Sequence, residues 1–228
     1  MENSRNIVLL GPPGAGKGSI AVLLAKALAL PHISTGAIFR EEITAGTALG
    51  KKANSYMSEG QLVPDHLTNR LVANRLTKTD CDSGFILDGY PRSRTQAEVL
   101  DEMLRLWSRD LNAAILIQAD EDIIIHRLSR RHVCTLCGHN YNLDPEEVDG
   151  STRCKLCGGK LTRRDDDRVE AIKQRLAIYR ELSQPLITYY EDKGILFTVI
   201  NEDRSLGETG KLILKHLGAV VPDELADY

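Results

Sequence analysis

Aromatic residues are scarce: Phe, Tyr and Trp make up 5% of 228 residues, with one Trp, and the Cys-rich stretch holds only Tyr141. A platform that stacks successive nucleobases needs such rings, so no nucleic-acid partner is expected. Charge of one sign is lacking too. The formal net charge of −3 leaves any anionic ligand to be met by local Arg and Lys clusters. No stretch approaches the roughly 20 apolar residues of a membrane-spanning helix, and Met1 to Asn6 carries no signal-peptide run. There is no internal repeat and no low-complexity linker. These absences predict a cytoplasmic globular protein without a membrane partner, and nothing demands more than a monomer. An apolar fraction of 42% in a chain of this length suffices for one sizeable core.

What is present is an alternation. Ile7 to Leu10 is a continuous apolar run that stops at Gly11, as a buried parallel strand does. Lys17 to Leu30 then places Ile20, Leu23, Leu24, Ala27 and Leu28 on one helical face, and Pro31 ends it. Further strand-like runs lie at 85–87, 114–117 and 196–200, with helical patterns between them, so β-α units on a parallel sheet are expected. Val169, Ile172, Leu176, Tyr179, Leu182 and Leu186 keep helical spacing late in the chain. Two stretches break the alternation. Residues 34–68 look helical but have few long apolar side chains, and residues 130–167 are rich in Cys, Gly, Asp and Arg. The expected division is a core of 1–33, 69–129 and 168–228 with inserts at 34–68 and 130–167.

Between the first strand and first helix lies Gly11-Pro12-Pro13-Gly14-Ala15-Gly16-Lys17-Gly18-Ser19. Glycines there let successive N–H groups face phosphate oxygens at a helix N-terminus, and Lys17 adds a point charge. The residue after Lys17 is Gly18, and the hydroxyl comes one place later at Ser19, a weaker position for a direct magnesium ligand. Leu87 ends a strand, so Asp88 sits at the carboxyl edge of the sheet, where a carboxylate can hold the waters of a magnesium ion. Arg92, after Pro91, has a fork suited to gripping a phosphate.

Cys134-x-x-Cys137-Gly138 and Cys154-x-x-Cys157-Gly158 repeat one knuckle, with sixteen residues between the pairs. This spacing brings four thiolates to one metal, and zinc suits them, with iron second. Four Cys ligands leave no open position, so the ion is structural. Two disulfides or four free thiols fit the pattern less well. Cys81 stands alone.

The phosphate loop is followed, in order, by Ser34-Thr35-Gly36 with Arg40, by Gly60-Gln61-Leu62-Val63-Pro64-Asp65, by Gly84-Phe85-Ile86-Leu87-Asp88-Gly89-Tyr90-Pro91-Arg92 with Gln96, and by an Arg-rich stretch from Arg127. This series resembles the nucleoside monophosphate kinases, and within them the adenylate kinases. The long Cys-rich insert resembles their large-lid, zinc-binding branch. The resemblance runs to about Ile200 and implies a P-loop kinase fold with two small inserts, one for the monophosphate and one a lid. It implies reversible, magnesium-dependent transfer from ATP to AMP, serving adenine nucleotide homeostasis. Thr35, Arg40 and Arg92 would hold the AMP phosphate. Gln61, Leu62, Val63, Gly89, Tyr90 and Pro91 would surround AMP, and Gln96 would read its base. Gly14 to Ser19, including Ala15 and Gly16, would hold ATP, with Asn140, Tyr141 and Arg204 near its ring. Arg131 and Arg164 would reach in from the lid, and Arg92, Arg127 and Arg175 from the core. Asp166, of the pair Asp166-Asp167, would orient arginines.

Several positions depart from the family pattern: Ser19 for Thr, Ile20 for Gln, Ala37 for Asp, and Arg130 for a Gly at the lid hinge. Loss of that Gly is expected to stiffen the hinge. A non-catalytic scaffold that binds nucleotide only as a structural ligand does not suit the intact Lys17, Asp88, Arg92, Arg131, Arg164 and Arg175, and two further rivals are weighed, the second disfavoured by the scarce aromatics and the net charge. One is a UMP/CMP kinase; the other is a zinc-ribbon nucleic-acid-binding ATPase.

Overall fold

Arg5–Leu10 (β1) sends Ile7 and Leu9 into one buried cluster and Val8 and Leu10 into another. That two-residue alternation, buried on both sides, is what a central parallel strand requires. The computed structural model describes residues 5–202 and 204–222. Residues 1–4, 203 and 223–228, all assigned to the core by sequence, lie outside the described residues.

After β1 come α1 (Lys17–Leu28), β2 (His32–Ser34), α2 (Thr35–Thr44), α3 (Ala48–Met57), α4 (Asp65–Leu76) and β3 (Gly84–Asp88). Then follow α5 (Arg94–Leu106), β4 (Ala113–Gln118), α6 (Glu121–Ser129), β5 (Arg131–Cys134), β6 (Asn140–Asn142) and β7 (Leu161–Thr162). The chain continues through α7 (Val169–Asp192), β8 (Leu196–Ile200) and α8 (Leu206–His216). Five strands pair in parallel in the order β2-β3-β1-β4-β8, and β6-β5-β7 form a separate antiparallel sheet. The expected P-loop α/β architecture is present.

Helices cover both faces of the larger sheet. On one face Val8, Leu10, Phe85 and Leu87 pack with Val72 and Leu76 of α4, Leu100 and Leu104 of α5, and Leu186 and Tyr190 of α7. On the other, Ile7, Leu9, Ile86 and Ile115 pack with Ile20 and Leu24 of α1 and Ile213 and Leu214 of α8. Departure of the chain from β1 first to β2 and β3 on one side, then to β4 on the other, opens a crevice at the carboxyl ends of the strands. Register puts Leu9, Ser34 and Asp88 level there.

Two expectations need correction, and one strand lacked a signal. The first helix ends at Leu28, because Ala29 turns left-handed (φ 52°) and its N–H bonds Ala25 O. Val169, expected on the buried face of α7, is 53% exposed; it is the first residue of its helix and lies beyond the packing surface. β2 had no signal in the sequence, since three residues cannot show a periodicity. Cys81 is fully buried.

Candidate active site and metal centre

The phosphate loop turns at Gly16, whose φ of 97° is a left-handed conformation that glycine tolerates. A side chain there would also meet Asn201 Nδ2 at 2.7 Å. α1 starts at the next residue with no side-chain cap, so its first N–H groups face outward as an anion site. Lys17 Nζ donates to Gly11 O at 2.8 Å and Pro12 O at 2.7 Å, which holds the ammonium over the loop and leaves one donor. Asn201 Nδ2 donates to Ala15 O at 2.8 Å and braces the loop from behind. That residue carried no motif and was missed.

A cavity of about 630 Å³ opens above this loop. Its wall includes Gly14, Gly16, Lys17, Gly18 and Ser19 from the loop, with Thr35, Arg40, Gln61, Leu62 and Val63 from the first insert. Asp88, Gly89, Pro91, Arg92, Gln96, Arg127 and Arg175 line it as well, as do Arg131, Asn140, Tyr141, Arg164 and Asp166 from residues 130–167. Three expected residues do not line it. Ala15 is buried behind the loop. Tyr90 is buried as well, its hydroxyl 2.9 Å from Asn69 Oδ1 and 3.1 Å from Gln96 O with one proton to give, so it supports the wall from beneath. Arg204 is exposed and donates to Ile200 O at 2.8 Å.

Positive charge dominates the cavity. Lys17, Arg40, Arg92, Arg127, Arg131, Arg164 and Arg175 face Glu41, Asp88 and Asp166. Removal from bulk water lowers the Lys17 ammonium to about 8, with Asp88 opposing and the nearby arginines assisting. The same enclosure, with Arg131 and Arg40 close by, lowers Arg164 to about 9. A site that strains to keep its cations charged is one that stabilises an incoming polyanion.

Two carboxylates contact the arginines. Asp167 bonds Arg131 through both oxygens, at 2.7 and 2.5 Å, and Arg175 Nη1 lies 3.4 Å from it. Asp166 Oδ2 stands 3.2 Å from Arg175 Nη1. Sequence reading favoured Asp166, but the fully buried Asp167 makes the tighter contact. Arg164 donates to Asn140 Oδ1 at 2.7 Å and Arg127 to Asn201 O at 3.2 Å. His32 Nε2, also missed, is 3.5 Å from Asp88 Oδ2. Burial pushes the Asp88 carboxyl up, but the approach of His32 and the Lys17 charge outweigh it and hold it below its ordinary value.

Comparisons with known proteins give the family to which a chain with this site belongs. A family model described as adenylate kinase matches residues 9–195. The chain belongs to the adenylate kinase family. Among relatives named adenylate kinase, that of Thermosipho melanesiensis is 49% identical over 85% of this chain and 91% of its own. The Fervidobacterium nodosum protein is 46% identical over 93% and 97%, and that of Clostridium botulinum 45% over 93% and 98%. The kinase is a phosphotransferase.

In this kinase the Cys-rich stretch gathers Cys134, Cys137, Cys154 and Cys157 so that all four Sγ atoms lie within 4.8 Å of one another. The Cys134–Cys157 and Cys137–Cys154 separations are 3.4 and 3.6 Å. Sulfurs on a zinc tetrahedron stand about 3.8 Å apart, whereas a disulfide needs about 2 Å, so the donors fit one ion and not two bridges. Gly138 and Gly158 turn at φ 71° and 73° after each knuckle. Tyr141 approaches the cavity with its ring, but its hydroxyl lies 3.2 Å from Cys154 Sγ and accepts Lys155 N–H at 2.9 Å. Beyond the cysteines, the described residues that pack in this cluster are Leu161, Tyr141 and Leu143, too little apolar surface to hold the lobe. No described helix is long and apolar enough to cross a membrane.

Arg130, the expected hinge residue, has φ −99° and ψ 0°, which any residue adopts. This conformation therefore does not itself require a glycine. The Arg130 guanidinium pairs with Asp144 and meets His126 Nε2 at 3.1 Å, tying α6 to the 130–167 insert.

Proposed function

We propose that this kinase transfers the γ-phosphoryl group of ATP to AMP, reversibly and with magnesium, giving two ADP. The observation that carries the reading is a single cavity walled by the phosphate loop, the 34–68 insert and the 130–167 insert, with cations converging on its centre. On this reading the first insert holds the monophosphate and the second is a lid, both borne on the remaining core. The reading includes action as a monomer. Thiols at knuckle spacing suit the reducing cytoplasm.

The loop N–H groups of residues 14–19 and Lys17 hold the ATP phosphates, and Asn140 and Tyr141 border its ring. Thr35, Arg40 and Arg92 grip the AMP phosphate, with Gln96 at its base. Arg131 and Arg164 from the lid and Arg127 and Arg175 from the core then neutralise charge on the equatorial oxygens of the transferring group. Transfer asks the protein for alignment and charge, with little covalent chemistry. Asp88 would hold water ligands of magnesium, which screens phosphate charge when bound. Closure of both inserts excludes water, the competing acceptor. The four cysteines would hold zinc as a structural clamp.

The test is to mix protein, ATP and magnesium with AMP, UMP, CMP or GMP and follow ADP. Formation with AMP alone supports the reading, and efficient transfer to UMP or CMP would move the chain to the pyrimidine branch. No transfer to any monophosphate would overturn it.

A further inference from the structure

Gln96 is held between two neighbours of opposite hydrogen-bonding character. Its Oε1 accepts the backbone N–H of Arg92 at 2.8 Å, and its Nε2 donates to Asp65 Oδ1 at 2.6 Å. A backbone N–H can only donate and an ionised carboxylate can only accept. Turning the amide over would set N–H against N–H and oxygen against oxygen, so both bonds would be lost together. Gln96 borders the cavity at 2% exposure, whereas Asp65 stands outside the wall as the first residue of α4. One acceptor site on Oε1 and one N–H on Nε2 remain, each at a position the amide cannot exchange.

This matters for the base. The six-position edge of adenine offers a donor at the amino group beside an acceptor at N1. Six-oxo purines offer the reverse, an acceptor at O6 beside a donor at N1. An amide free to turn over would serve both; a fixed amide serves one. We propose that Asp65 is a positioning residue for base selection, which locks the Gln96 amide so that the site discriminates 6-amino from 6-oxo purine monophosphates. The inference rests on Gln96 reading the base, as proposed above.

The readout is the ratio of kcat/KM for AMP to that for IMP, with ATP and magnesium. Because it is a ratio within one preparation, partial misfolding of a variant cancels. Gln96→Ala should collapse it. Asp65→Ala should lower it about tenfold or more, the size of one hydrogen bond to a charged group. Asp65→Asn removes the helix-terminal charge as Asp65→Ala does but keeps an acceptor oxygen, and should hold the ratio within about threefold of the parent. An unchanged ratio in Asp65→Ala, with Gln96→Ala impaired, overturns the role of Asp65. A loss in Asp65→Asn equal to that in Asp65→Ala overturns it as well, since charge and not orientation would then be responsible. An unchanged ratio in Gln96→Ala means instead that Gln96 does not read the base.

Discussion

Asp167 lies behind the cavity wall and grips Arg131 in it: both carboxylate oxygens of a fully buried Asp bond one guanidinium, at 2.7 and 2.5 Å. Arg175 lies 3.4 Å from the same carboxylate, so one anion sets two arginines that arrive from different elements. Removing it leaves buried positive charge uncompensated. Asp167→Ala is expected to cost about 3–5 kcal/mol of stability and to lower kcat by about 10²-fold or more. Denaturant unfolding and steady-state kinetics measure the two. A normal kcat in the folded variant would show that the pair positions nothing.

Lys17 predicts a proton linkage. Its value is about 8 in the enclosed site against an ordinary 10.5, and bound phosphate would raise it again. Below pH 8 the ammonium is charged with or without ATP, so binding moves no proton through this group. Between about 8 and 10.5 the free site has released the proton and the bound site has recovered it. Binding should then take up as much as about one proton, and affinity should fall as pH rises. Calorimetry at pH 9 in two buffers of different ionisation enthalpy detects the uptake. Lys17→Met should remove the share of this uptake that belongs to Lys17 and lower kcat/KM by about 10²–10³-fold.

The four-thiol cluster should carry one metal ion. Elemental analysis of purified protein is expected to find zinc at about one ion per chain. Cys154→Ser should lose the ion and destabilise residues 130–167, by an amount on the order of several kcal/mol. Hydrogen exchange should then quicken there and stay slow in β1, β3 and β4. Full metal content in the variant would count against the site.

Arg130 separates backbone from side-chain control of the hinge. Its partners are partly exposed, so the strut is worth at most about 1 kcal/mol, a factor of about five in opening rate. If opening limits turnover, Arg130→Met, which breaks the strut without freeing the backbone, should raise kcat nearly as much as Arg130→Gly. A gain with Gly alone would return the effect to backbone freedom. No gain with either means that opening is not limiting.

Local patterns in the sequence were enough for much of this protein. Strand runs ending at Gly11 and Asp88, the phosphate loop between strand and helix, and the knuckle spacing each encode their chemistry within a few residues. Such signals survive without knowledge of the fold, because the backbone conformation they need is set by adjacent side chains. Relations between distant segments were left to tertiary structure. That Asp167 and not Asp166 grips Arg131, that Asn201 braces a loop 186 residues away, and that His32 meets Asp88 depend on which elements pack together. Asp65 and Gln96, 31 residues apart, are another such pair. An arginine or glutamine in a motif shows what it can bind. Only the packed chain decides which neighbour orients it, because a hydrogen bond a few ångströms long is set by the meeting of elements that no local spacing encodes.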